Sequence, residues 1–124
     1  MDERLRSLPP AELDNIMEIA RRIAEAVHPL RIYLFGSFAD GTWGDDSDYD
    51  FYIVVEDGKD TREESMNVRR GIWGVSIRPV DIIFGPKSRF DKYGPRENTF
   101  YIESEVFRKG IVLYDTDTEE RIAG

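Results

Sequence analysis

The chain has 124 residues, 40% hydrophobic and 34% charged, the composition of one folded domain with its own core rather than of a disordered or membrane-embedded chain. Seventeen Lys and Arg stand against 25 Asp and Glu, a net charge of −8, which would repel a polyphosphate backbone and argues against direct nucleic-acid binding. Cysteine is absent and His28 is the one histidine, which excludes disulfides, thiolate metal sites and a cysteine nucleophile, and argues against a Ser-His-Asp hydrolase or a multi-histidine zinc site.

Any metal is therefore expected on oxygen ligands. No apolar run is long enough to span a bilayer, and the first residues show no basic start followed by an apolar stretch. No membrane association and a cytoplasmic location are the expectation.

Pro9 and Pro10 suit a first helical turn, and Leu13, Ile16, Met17, Ala20, Ile23, Ala24 and Val27 recur at helical spacing until His28-Pro29. Arg31 to Phe35 is almost wholly apolar and predicts a buried strand, broken by Gly36-Ser37. Gly36 to Ser47 has no periodicity and is expected to be a loop. Asp50 to Val55 predicts a second strand, Thr61 to Arg70 a charged helix, and Arg78 to Phe84 a third strand with Pro79 near an edge. A short helical turn over Lys87 to Tyr93, a helix over Phe100 to Lys109 closed by Gly110, and a last strand over Ile111 to Tyr114 complete the order. The expected fold class is α/β (α+β), a small mixed sheet flanked by helices, in a single domain over residues 1–124.

Side chains alternate along the second strand, so Asp48, Asp50 and Tyr52 share one face while Tyr49, Phe51, Ile53 and Val55 share the other. Asp81 interrupts the third strand, whose apolar side is Val80, Ile82 and Phe84. So apolar a strand is expected to be largely buried, and a buried unpaired carboxylate is costly. A shared divalent cation answers that cost. If the strands are neighbours, Asp48, Asp50 and Asp81 form an all-oxygen site suited to Mg²⁺.

The stretch Gly36 to Asp50, GSFADGTWGDDSDYD, resembles the DNA polymerase β-like nucleotidyltransferase superfamily, and in particular its minimal nucleotidyltransferases. Gly36-Ser37 ends a strand, Ala39-Asp40-Gly41 stands for the usual Ala-Arg-Gly turn, Ser47-Asp48-Tyr49-Asp50 follows an acidic glycine-rich stretch, and Asp81 is the third aspartate on a later strand. Arg108 to Tyr114 looks like the family's closing helix and strand, so the likeness spans most of the chain. Asp40 departs from the pattern, standing where arginine is common.

The resemblance implies nucleotidyl transfer from a nucleoside triphosphate to a hydroxyl, with in-line attack at the α-phosphorus. It implies Asp48 and Asp50 on two Mg²⁺ ions, Asp81 completing one and accepting the proton, and Gly36, Ser37 and Ser47 on the nucleotide. Minimal members are often encoded with a small HEPN-family protein as an antitoxin and toxin pair. The implied activity is therefore that of an antitoxin that moves AMP from ATP to a tyrosine of its toxin. A nucleotidyltransferase acting on a small molecule such as an aminoglycoside is one alternative, for which an added helical domain would be usual. A non-catalytic antitoxin of the same fold is another, which Asp40 favours.

Each motif has a plainer reading. Gly36-Ser37 alone is most often a turn, and Asp81 could pair with Arg78 or Arg31. Asp46, Asp48, Asp50 and Asp57 mimic a calcium loop, but Phe51 replaces its glycine and a strand follows, so an EF-hand is rejected. His28 is expected to end a helix, Trp43 and Trp73 to pack over the core, and the basic run Lys87, Arg89, Lys92 and Arg96 to be a solvated turn.

Overall fold

The computed structural model describes residues 1–97 and 100–116. In chain order these form α1 (Glu3–Arg6), α2 (Pro10–Val27), β1 (Arg31–Phe35), α3 (Ser37–Asp40), β2 (Tyr49–Val55), α4 (Thr61–Gly71), β3 (Val80–Pro86), α5 (Lys87–Tyr93), α6 (Ile102–Lys109) and β4 (Ile111–Asp115). The sheet order is β3-β2-β1-β4, with β1 antiparallel to β2 and β4, and β2 parallel to β3. It is the mixed, helix-flanked sheet that the sequence predicts.

Strand alternation separates two cores. Ile32, Leu34, Phe51, Ile53, Ile111 and Leu113 meet Ile16, Ile19, Ile23 of α2 and Val68 of α4 on one face. Tyr33, Phe35, Tyr52 and Val54 meet Phe90 of α5 and Val106 of α6 on the other. The α2 stripe buries Ile16, Ile19, Ala20, Ile23 and Val27, and the helix stops at His28, whose φ of 47° is left-handed and whose N–H donates to Ala24 O. Among the described residues no helix is long and apolar enough to cross a membrane.

Three expectations are corrected, and one element is added. Helix α1 has no counterpart in the sequence reading, because four residues around buried Leu5 are too few to show a period. Part of the expected loop is helix α3, four residues entered through Gly36 and left through Gly41 at φ 86°. Strand β3 starts at Val80 rather than Arg78, since Arg78 turns its side chain to other elements. Trp73 is 86% exposed instead of packed, whereas Trp43 stacks on Phe38 with centroids 5.0 Å apart.

Candidate active site

Where β1 ends and β2 and β3 begin, three segments meet. Gly36 follows Phe35 with φ 74° and ψ −153°, a backbone conformation open to glycine. A Cβ there would lie 2.2 Å from Asp50 Oδ2, so the missing side chain is what admits the Asp50 carboxylate against the Gly36 turn. In the ladder Phe35 faces Asp50 across β1 and β2, and Asp50 faces Asp81 across β2 and β3. Neighbouring strands lie about 4.8 Å apart, so two carboxylates face one another without an intervening base.

Asp50 carries the imprint of that arrangement. Its carboxyl is pushed up to about 6, chiefly by burial, then by Asp81 opposite, and further by the charges of Asp48 and Glu105. Asp81, expected to be buried, is exposed because β3 is an edge strand, and the more buried acid is Asp50. Asp48 precedes β2 and influences Asp50 by its charge. Among the described residues no three Asp, Glu or His side chains stand gathered in metal-ligating positions. Register brings two carboxylates together, and Asp48 depends on its loop.

That loop is heavily tied. Gly44 N–H donates to Ser47 Oγ at 2.8 Å and Ser47 N–H to Gly44 O at 3.1 Å, so the Ser47 hydroxyl closes its own turn as an acceptor and retains its proton to donate. Arg78 Nη1 donates to the carbonyls of Gly44, Asp45 and Ser47 at 2.9, 3.2 and 2.9 Å. Its other nitrogens hold both oxygens of Glu12 on α2, at 3.0 and 2.9 Å. Tyr49 Oη donates to Glu12 at 2.5 Å, and burial followed by that bond pushes the phenol up. Arg78 therefore does not pair with Asp81. Arg31 Nη1 donates to Tyr33 Oη.

Asp40, at the position of the pattern's arginine, accepts from Thr42 Oγ1 at 2.6 Å and Thr42 N at 2.9 Å. Those bonds, with the charge of Lys109, hold its carboxyl below the usual range. Its role is to close the turn after α3. On the far sheet face Tyr52 Oη donates to buried Glu103 at 2.6 Å, and Arg89 Nε donates to the same oxygen at 3.1 Å. Helix α5 takes the place of the expected short helical turn, but its basic residues are not merely solvated: Arg89, Lys92 and Arg96 stand over the Tyr93 ring, on which Tyr101 stacks at 4.0 Å. Sequence reasoning missed Arg78, Glu12, Glu103 and Glu105, since their partners lie far along the chain.

No curated protein matches the sequence. The fold is similar to that of a Sulfolobus solfataricus protein described as a candidate nucleotidyltransferase, at TM-score 0.61 and 21% identity over 98% of this chain and 90% of that one. It is also similar to a chain of a toxin-antitoxin structure with AMP-PNP, at TM-score 0.53 and 20% identity over 86% of this chain and 75% of that one. Residues 15–119 match the family described as polymerase beta, nucleotidyltransferase, and the chain belongs to that family.

Proposed function

We propose that this protein is a Mg²⁺-dependent nucleotidyltransferase that moves AMP from ATP to a tyrosine hydroxyl of a HEPN-family toxin in the cytoplasm, acting as its antitoxin. The observation that carries the reading is the register pairing of Asp50 with Asp81 directly beside the Gly36 turn. An all-oxygen donor set with two facing carboxylates suits Mg²⁺, because a divalent cation offsets the burial and the acidic neighbours that raise Asp50. Asp48, Asp50 and Asp81 would hold two ions, with Asp48 supplied by its loop. Bound there, Mg²⁺ supplies neutralisation of phosphate charge and a lowered pKa for the attacking hydroxyl.

The chain's own residues do the rest. Gly36 lets backbone approach a phosphate, and Ser37 at the start of α3 offers a hydroxyl beside it. Ser47 keeps a proton for a nucleotide oxygen. Exposed Asp81 is within reach of an incoming acceptor and takes its proton, while half-buried Asp50 stays behind it. Asp40 closes its own turn on Thr42, yet the positive charge of the pattern's arginine is absent there, and that absence is what favours the second reading, a non-catalytic antitoxin of the same fold.

The toxin-antitoxin relative supports a toxin as partner, and its AMP-PNP supports ATP as donor. The net charge of −8 complements the basic groove that an RNA-cleaving toxin needs. Incubating the protein with ATP, Mg²⁺ and its HEPN partner should add adenylate to a partner tyrosine, seen by mass spectrometry and lost with Asp48→Asn. An unmodified but inhibited partner in a stable complex would replace transfer with binding alone.

A further inference from the structure

We infer that Arg78 is a positioning residue that sets the place of Asp48 relative to the Asp50–Asp81 pair, a role that rests on the metal-binding reading above. Asp50 and Asp81 are fixed by strand pairing, but Asp48 lies outside β2 and has no ladder partner in the sheet. What fixes it has to act on the segment just before the strand.

Arg78 grips that segment from the chain that leads into β3. Its Nη1 serves three carbonyls, and the last, Ser47 O, belongs to the peptide unit that joins Ser47 to Asp48. The same guanidinium is anchored at its other edge by both Glu12 oxygens, with each side chain of that pair only 13% exposed. Phe38 and Trp43 lie under it at 4.9 and 5.6 Å from its central carbon. A planar group with five donors can meet carboxylate, carbonyls and rings at once, and an ammonium cannot.

Two further ties make Arg78 a fixed origin rather than a passenger. Asn15 on α2 donates to Val75 O at 2.8 Å and accepts from Ile77 N at 2.9 Å, and Arg78 N donates to Ser76 Oγ at 3.2 Å. One residue on, Pro79 O accepts from Tyr49 N at 3.0 Å, and two further on Asp81 faces Asp50. A single tetrapeptide, 78–81, therefore holds all three acids: Asp48 through the Arg78 side chain, Asp50 through the ladder, and Asp81 as its own last residue. Side-chain groups that orient metal ligands from behind typically change metal affinity by roughly ten- to a hundredfold.

The test compares wild type, Arg78→Lys, Arg78→Met and Glu12→Gln by Mn²⁺ titration and by hydrogen exchange of the amides from Thr42 to Asp48. The expected result is an order-of-magnitude loss of Mn²⁺ affinity in both Arg78 variants, with faster exchange confined to that loop and unchanged protection in β1 and β2. Glu12→Gln, which keeps the carbonyl contacts but loosens the anchor, should fall between them and wild type. Addition of about 10–20 mM ethylguanidinium to Arg78→Met, well below denaturing levels, should restore part of the affinity. Equal Mn²⁺ affinity and equal loop exchange in wild type and Arg78→Lys would overturn the proposal. If Arg78→Met does not fold, Arg78→Lys and Glu12→Gln decide it by the same two readouts. If wild type takes up no Mn²⁺, the metal-binding reading is what fails, and loop exchange alone still decides whether Arg78 fixes the segment that carries Asp48.

Discussion

Asp50 holds its charge against partial burial and three acidic neighbours, and the energetic sign of that arrangement is testable in the protein alone. Its carboxyl, near 6 in the folded chain, is well above the ordinary aspartate value of about 3.9. A group raised on folding binds its proton more readily in the native state, so its contribution to stability is complete below about pH 4 and lost as pH rises through 6. Asp2, Glu12 and Asp40 shift the opposite way, so each withdraws stability as pH falls from its ordinary carboxylate value towards its lowered one. Metal-free protein should therefore melt at higher temperature at pH 5 than at pH 7. Asp50→Asn should flatten that slope and raise stability at pH 7. Parallel melting curves for the two proteins would show that Asp50 is not the strained member of the site.

At the level of elements, α6 is joined to the sheet by a polar contact inside an apolar layer. Glu103 is 2% exposed and receives Tyr52 Oη and Arg89 Nε on one oxygen. Burial first, then the Glu103 bond, pushes the Tyr52 phenol far up, so it stays a donor at any physiological pH. Its path to Glu103 crosses Gly85, where a Cβ would lie 1.7 Å from the Tyr52 hydroxyl. Gly85→Ala should consequently destabilise by about 1–3 kcal/mol, the range for overpacking a filled core, measured by urea unfolding. Gly85→Ala combined with Tyr52→Phe should lose less than the sum of the two single losses, because removing the hydroxyl makes room for the methyl.

This contact was invisible in the sequence, where Glu103 reads as an acid in the exposed first turn of a helix and its partner lies 51 residues away. The alternation of Tyr49 to Val55 was legible in which residues share a face, although both faces of β2 are buried and only Asp50 is partly open. So was the meeting of Gly36, Asp50 and Asp81, which strand alternation and the family resemblance led one to expect. The lead-in to β3 was misread because Arg78-Pro79 continues an apolar-looking run. Only tertiary partners reveal that its guanidinium serves α2 and the Asp48 loop rather than a ladder.

For the whole molecule, architecture and charge point to one consequence. The sheet divides its helices, α2 and α4 on one face and α5 and α6 on the other, so the carboxylates at the β1, β2 and β3 ends sit at a rim that both layers leave open. Asp81 and Asp48 reach solvent there on a chain of net charge −8. A basic toxin approaching this rim would be steered by a field that extends about 10 Å at 0.1 M salt and about 3 Å at 1 M. Steering acts on encounter more than on the lifetime of the complex. If the partner is the toxin proposed above, its association rate constant, followed by stopped flow, should therefore fall by an order of magnitude or more between about 50 and 500 mM NaCl, while the dissociation rate changes little. Replacing exposed acids remote from the rim, Glu63 on α4 and Glu25 on α2, by glutamine should leave most of that dependence in place. Asp81→Asn should reduce it. An association rate indifferent to salt would mean that the partner docks through an apolar surface instead, for which exposed Trp73 and Ile77 would be the first residues to replace.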